Sequence, residues 1–201
     1  MTHPLYCPLP QRIIYAGKQY PLRPSFDRVL EVFDVFGRPD WDEEQRLEYA
    51  IWLLAPKARK LSIDHKAHLM DQLYKLMLNT KNKLSSGPKS IDFLQDAPYI
   101  YAGFHQAYGI DLYDEQGKLH WLKFLALFRA LPENTRIMEI VSIRTRPIPK
   151  RTKYNAEEIR ALMRAKETYR LEISQAERDA QLVQGLRSIA SVLEGMSRGK
   201  S

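Results

Sequence analysis

Three positions stand close enough along the chain to do chemistry together: Asp64, His65 and His68. His65 and His68 are three apart, so a helix puts them on one face, where two imidazoles can share a metal ion. A third convergent ligand is not visible, and the His-Glu-x-x-His spacing of a zinc hydrolase does not occur. We read the three as exposed polar residues on an amphipathic helix. His105 and His120 fall in aromatic, apolar segments and are expected to be hydrogen-bonded in the core or at its edge. Cys7 is the one cysteine, which excludes an internal disulfide and a multi-thiolate metal site. It sits in a proline-rich arm with no cation beside it to activate the thiol. Nothing matches a phosphate-binding glycine loop, a nucleophile elbow or a dinucleotide fingerprint. The expectation is a protein that is not an enzyme, with no catalytic residues, no cofactor and no metal.

The formal net charge is +7, so nucleic acid must be weighed as a partner. Residues 1–149 hold 20 Lys/Arg and 17 Asp/Glu, and residues 150–201 hold 11 and 7. The excess gathers at Arg144, Arg146, Lys150, Arg151 and Lys153, a run with no acid in it. A phosphate-binding stripe has this form. A solvated linker with cations near helix ends has it too, and that reading is the stronger one. Tyr99, Tyr101, Phe104, Tyr108, Trp121, Phe124 and Phe128 could stack on bases. No basic residues interleave with them, so they read as core.

These side chains must be held by something. Hydrophobic residues make up 44% and charged ones 27% of the 201 residues, an ordinary balance for a globular protein that rules out wholesale disorder. The apolar stretch around Leu125–Phe128 is broken by Lys123 and Arg129, far short of the roughly 20 residues of a membrane span. The first ten residues lack a basic start and an unbroken apolar run, so no secretory signal is expected. A cytoplasmic protein fits best.

Residues 1–10, with three prolines, read as a flexible arm. Two β-prone runs flank Ala16-Gly17-Lys18, and Gly17 permits the positive φ of a hairpin turn. From Ser25 the period turns helical: Phe26, Val29, Leu30 and Phe33 share a face, and Gly37-Arg38-Pro39 ends that helix. Asp40 with Glu43 has capping-box spacing ahead of the stripe Leu47, Ala50, Ile51 and Leu54, and Pro56 stops the second helix. A third, near Ile63 to Lys83, carries Ala67, Met70, Leu73, Tyr74, Met77 and Leu78. Leu84-Ser-Ser-Gly-Pro88 is a loop.

Ala97–Tyr108 has Pro98 in the first turn and Gly109 where a left-handed C-cap belongs. Its apolar residues surround most of the helix, which places it centrally. Leu119–Phe128 is apolar nearly all round, and Pro132 ends it. Asn134 or its neighbour caps a further helix carrying Ile137, Ile140, Val141 and Arg144. Tyr101, Phe104, Trp121, Leu125, Phe128, Ile137 and Val141 are expected in one core. Pro147 and Pro149 break the chain, and Asn155 with Glu158 forms another capping box. No proline follows, so residues 155–197 read as one helix of roughly 60 Å. Its far end carries Leu182, Leu186, Ile189, Leu193 and Met196 at helical spacing, a candidate protein-binding stripe.

The fold class is therefore mainly α: a compact helical domain with a small N-terminal β-hairpin and a long C-terminal helix. The expected organisation is a flexible arm over 1–10, a helical domain with its hairpin over 11–146, a basic proline-containing linker over 147–154, and the C-terminal helix over 155–201.

Residues 96–146 also carry a resemblance. "YIYAGFHQAYGIDL", "LHWLKFLALFRAL" and "TRIMEIVSIR" follow in that order. This combination resembles the gene-product-fifteen family of long-tailed bacteriophages and prophages. "YAGKQYPLRPSFDRVLEVFDVF" is similar to the hairpin and first helix with which many phage tail assembly chaperones begin. The resemblance covers about residues 11–150. It implies a mainly helical tail assembly chaperone that binds the phage tape measure protein and keeps it soluble until tail tube protein polymerises around it. The implied partners are the tape measure protein, other copies of the chaperone and the tail tube protein, with no membrane partner. The implied place is the host bacterial cytoplasm, with the protein shed before the virion matures. The family supplies no catalytic residues to transfer. Two alternatives stay open: a nucleic-acid-binding module built on residues 144–153, and a structural tail component retained in the virion.

Overall fold

The structure, a computed structural model, describes residues 7–38, 40–78 and 90–172. These residues form two compact units. One takes in the described residues as far as Leu78 together with Gln116–Leu125; the other takes in the described parts of Gly87–Glu115 and Ala126–Glu177. The division falls inside the single domain expected over 11–146. The seven residues expected in one core accordingly separate. Trp121 and Leu125 belong to the first unit, the other five to the second, where Tyr101 and Val141 are half-buried.

The first unit opens with the expected hairpin. Strands β1 (Arg12–Tyr15) and β2 (Lys18–Pro21) pair antiparallel, with Ile13 opposite Tyr20 and Tyr15 opposite Lys18. Ala16 and Gly17 turn the chain at φ +48° and +73°, the two successive positive φ values of a two-residue turn whose twist matches the strands. Helix α1 (Phe26–Gly37) buries Phe26, Val29, Val32, Val35 and Phe36, while Leu30 and Phe33 are half-buried. The buried face is thus rotated from the expected stripe toward Val32 and Val35.

Helix α2 (Glu43–Leu54) buries Leu47, Ala50, Ile51 and Leu54 as expected, and Leu53 as well. Its cap is Asp42, not Asp40. Asp42 accepts from the Gln45 N–H at 2.8 Å and the Gln45 side chain accepts from the Asp42 N–H at 3.1 Å. Both pairs have the spacing of a capping box, and the inner one is used. A 3-10 turn at Pro56–Ala58 leads to α3 (Ile63–Leu78). Ala67, Met70, Leu73 and Met77 are buried there, along with Leu69. Lys66 is also buried and pairs with Glu48 of α2. A charge this dry is tolerable because its partner is in place.

Helix α5 (Trp121–Arg129) begins in the first unit and ends in the second. In the first, Phe124 stacks on Phe26 with centroids 4.9 Å apart, and the Trp121 indole N–H donates to the Met77 carbonyl at 3.2 Å. His120 immediately precedes the helix. Its Nδ1 accepts from the Leu122 N–H at 3.1 Å and its Nε2 donates to the Pro10 carbonyl at 3.1 Å. This residue of the expected arm is therefore tied down.

In the second unit, α4 (Ala97–Tyr108) has Pro98 in its first turn and ends at Gly109 with φ +64°, as expected. Its apolar residues do not surround a central helix, however. Ile100, Gly103 and Phe104 are buried, the tyrosines are half-buried, and Ala102, His105 and Gln106 are exposed. His105 is thus a surface residue, contrary to expectation. The packing partner is α6 (Arg136–Thr145), whose Ile137 and Ile140 are fully buried. A Cβ at Gly103 would stand 3.2 Å from Ile137 Cγ2, so the missing side chain lets the two helices approach.

Helix α7 (Ala156–Thr168) is thirteen residues long, and residues 169–172 are not helical. The single helix expected over 155–197 therefore does not form in this stretch. The Tyr169 carbonyl is taken by the Arg144 guanidinium at 2.5 Å, and Gln95 pairs with the backbone of Arg170 and Glu172. These bonds replace the next helical turn. Nor is α7 disconnected by the prolines: Leu162 is buried and Lys166 donates to the Arg144 carbonyl at 2.7 Å. The Asn155–Glu158 capping box is not used either. The Asn155 side chain faces backward, accepting from the Thr152 N–H and donating to the Lys150 carbonyl.

Candidate functional site

The stripe Leu182, Leu186, Ile189, Leu193 and Met196 lies outside the described residues. The basic run is described, and it divides. Arg144 is no part of a solvent-facing patch. Its guanidinium holds both carboxylate oxygens of Asp96 at 2.7 and 2.8 Å, and the two side chains are 8% and 0% exposed. The Ser90 and Tyr169 carbonyls accept from two more of its N–H groups. A planar fork with four of its N–H groups bonded within the fold is a structural joint. Arg146, Lys150, Arg151 and Lys153 are exposed along a stretch without regular structure, beside exposed Ile148 and Tyr154.

The histidine and carboxylate positions do not converge. His68 Nδ1 bonds the Asp64 carbonyl one turn back, and His65 packs edge-on against Tyr15. Among the described residues no group of three or more His, Cys, Asp or Glu is placed to hold a metal ion. Burial pushes His120 below the usual histidine value, which favours the neutral ring that accepts from Leu122. Asp111 accepts from the Tyr113 N–H and the Tyr101 hydroxyl. Those bonds lower the Asp111 pKa and raise that of Tyr101, so neither becomes a better base or acid near neutrality.

A surface feature that the sequence reading passed over lies on the first unit. Trp41, Tyr49 and Trp52 line an open groove of about 680 Å³ with Asp40, Glu48 and Arg59. Trp41 and Tyr49 meet edge to face at 5.3 Å, and Tyr49 and Trp52 lie 5.3 Å apart. Arg38 covers the Trp41 ring at 5.6 Å. The Tyr49 hydroxyl donates to Glu31 at 2.5 Å, a bond that raises the phenol pKa and fixes the ring. Trp52 is 44% exposed. Tyr49 and Trp52 are three apart on α2 and flank the buried stripe. That spacing was the available signal: large aromatics on the solvent side of an amphipathic helix.

Two small helical units, the first headed by a β-hairpin, define a mainly α protein with an aromatic groove on its surface. The family model described as Bacteriophage Gp15 protein matches residues 7–171, and the chain belongs to that family. The match runs past the expected limit near residue 150 and includes α7. No curated protein and no solved structure matches the chain. No helix among the described residues is long and apolar enough to cross a membrane.

Proposed function

We propose that this phage protein is a tail assembly chaperone that binds the tape measure protein and keeps it soluble while the tail tube forms. Membership of the Bacteriophage Gp15 protein family over residues 7–171 carries the reading. The physics is compatible with it. A tape measure exposes apolar helix faces over a great length, and a helical protein with exposed aromatic side chains can cover such faces. Trp41, Tyr49 and Trp52 supply rigid contact area at small entropic cost. The role is binding, without catalysis, cofactor or metal, and it is carried out in the host cytoplasm before the protein is shed.

Co-expression with the tape measure protein of the same phage tests this. The tape measure should move from the insoluble to the soluble fraction and co-purify with the chaperone. A tape measure whose solubility does not change contradicts the proposal. Recovery of the protein in stoichiometric amounts from purified virions would instead favour a structural tail component.

A further inference from the structure

Helix α7 stops at Thr168 without a local signal to stop. Tyr169, Arg170, Leu171 and Glu172 follow, and neither glycine nor proline occurs between Asn155 and Gly185. Tyr169, the capping residue, lies at φ −102°, ψ 16°, on the right-handed side. Helix α4, by contrast, ends on Gly109 in the left-handed conformation that closes a helix by itself. The end of α7 is imposed by side chains distant in the chain. We infer that Tyr169–Glu172 is a two-state clasp: docked, it ends α7 at Thr168; released, it continues α7 as helix.

The backbone groups of the clasp are those a longer helix would use. In a continued helix the Tyr169 and Arg170 carbonyls accept from amides four residues on, and the Glu172 N–H donates to the Thr168 carbonyl. In the docked clasp the Tyr169 carbonyl accepts from Arg144 Nε at 2.5 Å and the Arg170 carbonyl from Gln95 Nε2 at 2.9 Å. The Glu172 N–H donates to Gln95 Oε1 at 2.9 Å. Each group is satisfied in either state, so neither state orphans it. The Gln95 amide alone stands in for two helical partners.

The Tyr169 ring completes the clasp. Arg136 lies over it at 5.3 Å and donates to its hydroxyl, and Tyr99 meets it edge-on at 6.5 Å. Gln95 and Tyr169 are half-buried, while Arg136, Arg170 and Glu172 are exposed, so water can compete for these contacts. Release spares the inner joint, because Arg144 keeps both Asp96 oxygens and the Ser90 carbonyl. A partner that binds the continued helix better than the docked clasp shifts the balance, and the docked clasp opposes that partner to the same degree.

Backbone NMR of the full-length protein tests this through the Cα shifts of Arg170, Leu171 and Glu172. In the wild type these shifts should be non-helical. Gln95→Ala with Arg136→Ala removes the outer contacts, and the three shifts should move to helical values while those of α4 and α6 stay in place. Gln95→Ala alone should move them part of the way. Adding Arg170→Gly should draw them back toward coil, because glycine disfavours helix and the Arg170 side chain pairs with Glu167 outside the clasp. Random-coil shifts in the double variant overturn the inference, since the contacts then only suppress fraying. Shifts that keep their docked values in the double variant overturn it too, and so do helical shifts in the wild type.

Discussion

Asp96 and Arg144 meet through two parallel hydrogen bonds of 2.7 and 2.8 Å at the start of α4 and the end of α6, with the carboxylate fully buried. Asp96 also accepts from the Asp92 N–H at 2.9 Å, and Arg144 reaches the Ser90 and Tyr169 carbonyls. One ion pair therefore fixes the lead-in to α4, the end of α6 and the turn after α7. Asp96→Ala leaves a guanidinium buried without its counter-charge. Such a break costs about 3–5 kcal/mol, and thermal denaturation should show a large fall in melting temperature. A melting temperature within a degree or two of wild type would mean that water replaces the carboxylate.

Phe104 is 0% exposed and Phe128 is 4% exposed, both within the second unit. Truncating either to Ala should destabilise by about 3–5 kcal/mol, measured by urea denaturation.

Gly103 sets the approach of α4 to α6. Gly103→Leu would drive a side chain into Ile137 and Leu131, whose nearest atoms lie 3.2 and 3.5 Å from an added Cβ. Overpacking of this kind costs about 1–3 kcal/mol, and the same denaturation measurement checks it.

His120 gives a pH dependence of known sign. Burial lowers its pKa in the folded state. Above the ordinary histidine value both folded and unfolded chains carry the neutral ring, and the residue imposes no cost. As pH falls through that value the unfolded chain binds a proton that the fold resists, because Nδ1 is occupied by the Leu122 N–H. Stability contributed here declines from about pH 6.5 downward. His120→Asn keeps an acceptor for that N–H and does not titrate. The wild type should therefore lose more melting temperature than His120→Asn between about pH 7 and pH 5.5.

Ala16 sits at φ +48° ahead of Gly17 at +73°. A left-handed alanine is strained, and asparagine tolerates the position better. Ala16→Asn should raise stability by about 0.5–1 kcal/mol, while Gly17→Ala should lower it by about 1–2 kcal/mol. Thermal melts of the two variants check the opposite signs.

Much of the fold was legible because the deciding contacts are local. Pro98 and Gly109 bound α4 through the geometry of their own residues, and the 3.6 period of Leu47, Ala50, Ile51 and Leu54 fixes the buried side of α2. What failed depends on partners distant in the chain. Arg144 reads as one cation among five until Asp96, 48 residues earlier, is brought against it. Residues 155–197 read as one helix because no proline interrupts them, yet Arg144 and Gln95 draw the backbone out of helix after Thr168. Asp40 and Asp42 both satisfy a spacing rule, and spacing alone does not choose between them. The groove was missed for another reason. Trp41, Tyr49 and Trp52 lie off the stripe that the search for a core follows.

The most direct measurement is the soluble yield of the tape measure protein of the same phage, expressed alone and with this chain, followed by size exclusion of the soluble fraction. The proposed chaperone predicts tape measure that is insoluble alone, soluble with the chain, and eluting with it as one complex. Tape measure that is equally soluble in both expressions, or that elutes apart from the chain, would contradict the proposal.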